Sequence, residues 1–149
     1  MYKLFITVAL LVSSLTYAND SFPIKEEKNC AYAAVGGLIP TFTMGGRSYV
    51  TDKTFIDCSG SFSTIILVNQ FDLTLRGLTK YNDNRYVGVG IEGALAFDNY
   101  NALAGLSTIV THGWDNEKTF TEVSLAFPMY KIQDITYVPH LIIKYGWKL

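Results

Sequence analysis

Charge is sparse in this chain. Asp, Glu, Lys and Arg make up 17% of its 149 residues, and the formal net charge is only −1. No basic surface for nucleic acid or an anionic partner follows from such a balance. Two cysteines are too few for a disulfide scaffold, and two histidines leave little ordinary general-base chemistry. Beyond the first residues, no apolar run approaches the ~20 residues that a membrane-spanning helix needs. No His/Cys/Asp cluster has metal-ligand spacing. Gly88-x-Gly90 lacks the third glycine and the following helix of a nucleotide loop. No cofactor and no metal are expected.

What is present begins with MYKLFITVALLVSSLTYA. Lys3, the apolar run Leu4 to Leu11 and the small-x-small end Thr16-Tyr17-Ala18 predict a secretory signal, residues 1–18, cleaved before Asn19. Cys30 has no small-residue lipobox before it, which argues against a lipid-anchored cysteine. Residues 19–28, NDSFPIKEEK, are polar and unpatterned and predict a flexible tail. Residues 29–149 then form one domain.

From Asn29 onward, strand-like runs alternate with turn signals. The clear breaks are Thr51-Asp52-Lys53, Tyr81 to Asn84, Asp98-Asn99 and Trp114 to Glu117. Weaker ones are Gly36-Gly37 with Pro40, the serine-rich Ser59 to Thr64, and Ile132-Gln133-Asp134. Seven breaks make eight runs, of a length that suits barrel strands or a soluble sandwich.

Parity chooses between them. In LVNQFDLTLRG (67–77), Phe71, Leu73 and Leu75 alternate with Asp72, Thr74 and Arg76. Phe42, Met44 and Val50 oppose Thr43, Arg47 and Tyr49; Ile56, Cys58 and Phe62 oppose Asp57 and a row of serines. Val87 to Phe97 oppose Gly88, Gly90, Glu92 and alanines; Val123 to Met129 oppose Glu122 and Ser124; Leu141 to Leu149 oppose His140, Lys144, Gly146 and Lys148. Cys30–Leu38 and Asn101–Trp114 are rich in Ala and Gly and show no clear face. A soluble barrel needs many charges on its outer face. Here the polar faces hold Gly, Ala, Ser and Thr with about one charge per strand, of mixed sign. That suits a narrow interior, with the continuous apolar face turned to lipid. An unpaired backbone group in hydrocarbon costs several kcal/mol, so the sheet must close. The expectation is all-β: an eight-stranded antiparallel transmembrane up-and-down β-barrel. A soluble periplasmic lipocalin-like binder, which would need a lined cavity, is the opposing architecture.

The segments FDLTLRGLTKY (71–81) and NRYVGVGIEGALAF (84–97) resemble small outer-membrane barrels of the outer-membrane-protein-A and opacity-protein type, including compact barrels of chlamydia-like bacteria. In that group a strand ending in an aromatic, here Tyr81, turns tightly into a Tyr-x-Gly-x-Gly strand, here Tyr86 to Gly90. The end Tyr145-x-Trp147-x-Leu149 resembles the terminal strand read by the outer-membrane assembly machinery, with Leu in place of the usual Phe. The resemblance implies an outer-membrane location, membrane lipid and the assembly machinery as partners, and a structural or surface role. Surface loops would fall near Gly36–Pro40, Ser59–Thr64, Asp98–Asn101 and Tyr130–Asp134; all are short, which gives an adhesin little support. The alternative to a structural or surface role is a lipid-modifying barrel enzyme or a narrow channel; such enzymes place a Ser two residues from a His, and neither His112 nor His140 has one.

The candidate functional residues are therefore a lumen charge network of Arg47, Asp57, Asp72, Arg76, Glu92, Glu122 and Lys144, an assembly signal of Tyr145, Trp147 and Leu149, and a candidate disulfide between Cys30 and Cys58. Against that disulfide, first and third strands are two ~4.8 Å spacings apart, beyond the ~7 Å reach between bonded Cα atoms. Tyr32, Tyr81, Tyr86, Trp114, Tyr130, Tyr137 and Trp147 fall near strand ends, where interfacial aromatic belts sit.

Overall fold

The computed structural model describes residues 29–37, 40–65, 68–97, 102–129 and 139–149. The expected signal and tail, and the breaks at Asp98-Asn99 and Ile132 to Asp134, lie outside them. So do Tyr130 and Tyr137. Eight strands follow in order: β1 (Cys30–Gly36), β2 (Thr41–Tyr49), β3 (Thr54–Ile65), β4 (Val68–Asn82), β5 (Arg85–Phe97), β6 (Ala102–Asp115), β7 (Thr119–Pro128) and β8 (His140–Lys148). Each pairs antiparallel with the next, and β8 returns to β1, so the sheet closes into a barrel.

Burial is inverted relative to a water-soluble protein. Met44, Phe71, Leu73, Leu125 and Ile143 stand exposed on the outside, Leu73 at 59%. Arg47, Asp57, Arg76, Glu92 and Glu122 are all buried within, Glu122 at 0%. The two faces follow from residue parity, because successive side chains of a strand point to opposite sides. The Ala/Gly-rich runs also take faces: Ala34 and Ile109 point inward, Val35 and Val110 outward.

At one end of the barrel the connections are tight. Thr51 Oγ1 accepts from the backbone N–H of Lys53 at 3.3 Å and of Thr54 at 2.9 Å, shaping the β2–β3 turn. Asp83-Asn84 turns β4 into β5 after a register irregularity between Lys80 and Asn82, and the Asn116 N–H donates to the Thr119 carbonyl across the β6–β7 turn. At the opposite end, Gly37 takes φ of 90°, a left-handed conformation that suits glycine, and its N–H donates to the Ile143 carbonyl at 2.7 Å.

Inside, large side chains lie over glycines of the neighbouring strand. Tyr32 faces Gly45, Leu78 faces Gly88, Arg76 faces Gly90, Tyr86 faces Gly113 and Phe120 faces Gly146 in register. A Cβ at Gly113 would run into the Tyr86 ring, and one at Gly146 into the Phe120 ring. The missing side chain is the space that the ring occupies, which adds close packing to the part glycines play where strands curve.

One expected break is corrected. Ser59 to Thr64 is not a loop but the second half of β3, whose register with β4 runs unbroken from Thr54↔Thr79 to Ile65↔Val68. Ser59, Ser61 and Ser63 face the lumen, and Phe62 between them faces outward. The Ser-rich composition marks a lumen row, not a turn.

Candidate functional site

The site is the lumen itself, and the strands set its members at matching heights. Arg47, Asp57 and Arg76 lie in one register row across β2, β3 and β4. Neighbours on one face of adjacent strands are close enough to interact, so opposite charges pair along such a row. Arg76 Nη2 donates to Asp57 Oδ1 at 2.7 Å, and Nη1 donates across the lumen to Glu122 Oε2 at 2.8 Å on β7. Its Nη1 also donates to Thr111 Oγ1 at 3.2 Å. Arg47 reaches Glu122 Oε1 at 2.9 Å, Asp115 Oδ1 at 3.2 Å and Asp57 Oδ2 at 3.4 Å. Every one of these side chains is buried.

Aromatic rings complete the arrangement. The Arg47 guanidinium carbon lies 4.0 Å from the Phe120 ring centre, 5.0 Å from Tyr86, 5.2 Å from Phe55 and 5.5 Å from Tyr32. A weakly hydrated planar cation tolerates such a cage far better than an ammonium does. The two tyrosines also bond within the network: Tyr86 OH donates to Glu122 Oε1 at 2.7 Å, and Tyr32 OH to Asp57 Oδ1 at 3.1 Å. Asp115 forms a second node, with Lys148 Nζ at 2.9 Å and Lys80 Nζ at 3.3 Å. The connected group thus draws a side chain from every strand, β1 (Tyr32) through β8 (Lys148).

Not all of the expected network is in that group. Asp72 and Glu92 are buried nearer the opposite end: Gln70 Nε2 donates to Asp72 Oδ1 at 2.8 Å, and His140 Nε2 lies 3.7 Å from Glu92 Oε1. Lys144 is buried opposite Glu122 in the β7–β8 register, between the two groups. The sequence reading missed Asp115, Lys80, Lys148, Tyr32 and Tyr86 as network members. Asp115 was hidden in a turn signal, although counting on from Thr111 and Gly113 gives its inward parity. Tyr32 and Tyr86 are a correction: expected in the interfacial belt, they are buried at 1% and 0%. Trp114 and Trp147 do point outward, and so do Tyr145 and Leu149, with Tyr145 and Trp147 edge to face at 5.0 Å.

The candidate disulfide is not formed, in keeping with the strand spacing that argues against it. Cys30 and Cys58 are not joined; β2 runs between their strands, with Arg47 opposite Cys30 and Gly46 opposite Cys58. Cys58 is exposed on the outer face, and two strand spacings of ~4.8 Å separate it from β1, beyond the ~7 Å reach of a disulfide. Among the described residues no group of three or more His, Cys, Asp or Glu could hold a metal ion.

An eight-stranded barrel with an apolar exterior and a charge-filled lumen is the architecture of a transmembrane barrel, and the comparisons agree on the fold. The crystal structure of the N-terminal β-barrel domain of Pseudomonas aeruginosa OprF superposes with a TM-score of 0.58 at 10% identity, covering 84% of this chain and all of that domain. A barrel from the de novo design of transmembrane β-barrels superposes at 0.54, also at 10% identity, covering 85% of this chain and all of the design. No protein-family model matches the sequence, and no curated protein matches it significantly.

Proposed function

We propose that the chain is a small bacterial outer-membrane β-barrel protein with a structural or surface role, its lumen closed by the ion-paired and aromatic plug. One observation carries this reading: large apolar side chains stand exposed on every strand while Arg47, Asp57, Asp72, Arg76, Glu92, Asp115, Glu122 and Lys144 are buried between them. In water that arrangement would expose an apolar band with nothing to cover it, whereas lipid covers it by its nature. The plug fills the cross-section with fixed charges and rings, so the protein is not a wide pore. The reading gives neither His112, bonded to Tyr81, nor His140, beside Glu92, a catalytic role. Membrane lipid is the partner of the outer face, and Tyr145, Trp147 and Leu149 present the terminal strand to the assembly machinery.

The test is cell fractionation with gel mobility of heated and unheated samples. An outer-membrane fraction and a heat-dependent mobility shift are the expected result. Recovery from the soluble periplasm with no shift would overturn the membrane reading in favour of a soluble binder. Porin-size conductance steps in a planar bilayer would overturn the closed lumen alone.

A further inference from the structure

At the tight-turn end, the outer face changes character over β4 to β6. Along β6 the outward residues run Leu106, Thr108 and Val110, then His112 and Trp114. Tyr81, at the β4 irregularity, reaches across β5 so that its hydroxyl lies 2.7 Å from His112 Nε2, with the two rings stacked at 6.0 Å. His112 in turn meets Trp114 edge-on at 4.3 Å. Arg85 is the register partner of Trp114, exposed on the same face, and forms no ion pair among the described residues.

We propose that Arg85, His112 and Trp114 form a binding site for the phosphate of an anionic phospholipid, with Tyr81 positioning the imidazole. The proposal rests on the membrane reading above and adds a preferred lipid to it. In the tautomer in which Nε2 accepts from the Tyr81 hydroxyl, the imidazole proton sits on Nδ1 and is free to donate to a phosphate oxygen. The Trp114 indole N–H and the Arg85 guanidinium supply further donors, and the guanidinium fork matches phosphate geometry. Three rings at the edge of an apolar band mark the depth at which lipid headgroups lie. Asp83, in the turn just before Arg85, opposes an anion arriving from the turn tip. The headgroup therefore approaches along the outer wall, from the bilayer side.

The experiment measures lipid retained on the full chain by native mass spectrometry, after vesicle insertion and detergent extraction, with phosphatidylglycerol, phosphatidylcholine or inorganic phosphate. Wild type is expected to keep phosphatidylglycerol in preference to phosphatidylcholine. Arg85→Gln, at an exposed position, is expected to weaken that preference about fivefold, the loss of one cation at a lipid surface. Tyr81→Phe is expected to narrow the preference without lowering the unfolding midpoint, which a merely structural tyrosine would not do. Equal retention of both lipids, indifference to Arg85→Gln, or retention of inorganic phosphate at equal concentration in place of lipid would each overturn the site. Insertion with no preference sinks this proposal alone; failure to insert sinks the membrane reading with it.

Discussion

Arg76 holds two carboxylates from opposite walls, Asp57 at 2.7 Å and Glu122 at 2.8 Å, and all three side chains are fully buried. Removing it leaves two anions facing each other with only part of their compensation. Losing one partner of a buried pair typically costs ~3–5 kcal/mol, so Arg76→Leu should destabilise the barrel by about that amount. Urea unfolding in lipid vesicles measures it, and a near-silent variant would show that the lumen is wet enough to solvate the carboxylates. Tyr86 and Phe120 make a residue-scale argument of a different kind. Gly146→Ala would place a Cβ inside the Phe120 ring, at an overpacking cost of roughly 1–3 kcal/mol. Phe120→Leu in the same chain should recover part of that cost, and a double-mutant cycle with no coupling would rule out the ring-over-glycine packing. This packing also explains why Tyr32 and Tyr86 were misplaced from sequence. An aromatic near a strand end belongs equally to an outer belt or to a lumen plug. What decides is the glycine opposite it in register, and register appears only when strands are paired.

At the scale of elements, β4 and its outward row separate bilayer from water. Leu73 and Leu75 lie mid-strand, and Val50 sits at the tight-turn end of β2, all three exposed. An arginine near the bilayer midplane costs about 2–4 kcal/mol, falling to about 0–1 near the interface. Leu75→Arg should therefore destabilise far more than Val50→Arg when both are unfolded in vesicles. In water, both would be surface substitutions worth about 0.5 kcal/mol or less. Equal effects would remove the membrane argument. Alternation made these outward rows legible wherever apolar and polar residues took turns, as on β2, β4 and β7. It failed on β1 and β6, because alanine and glycine suit either face. It misled on β3, where Gly60 among serines reads as a turn but packs as a strand opposite Leu73. The plug was half legible for a related reason. Charges mid-strand, such as Asp57 and Arg76, declare their face by parity, and so does Lys148 at the end of β8, while Asp115 and Lys80 lie where strand and turn chemistry overlap.

Over the whole molecule, closure and charge balance are one problem. The buried charges include four cations, Arg47, Arg76, Lys80 and Lys144, against five carboxylates, Asp57, Asp72, Glu92, Asp115 and Glu122; Lys148, reaching in to Asp115, supplies the fifth cation. A neutral interior lets the barrel carry these charges across an apolar layer without net repulsion. Because Asp115 on β6 binds Lys148, and Tyr32 on β1 binds Asp57, the network also ties down the strands that meet at the seam. The seam has its own backbone bonds, including the Leu149 N–H to the Ala31 carbonyl at 2.9 Å. Deleting the last three residues would thus damage two things at once, closure and any signal read by the assembly machinery. Outward substitutions separate them. Tyr145 and Trp147 point away from the lumen, so Tyr145→Ser with Trp147→Ser leaves Lys148 and the backbone seam in place. That double variant is expected to refold in detergent or vesicles nearly as well as the parent, yet to reach the outer membrane poorly in cells. Lys148→Gln should show the reverse, a weaker fold in vitro with less effect on delivery. Normal cellular insertion of the double variant would count against a signal on this strand. Poor refolding of it in vitro would assign those two rings to stability instead.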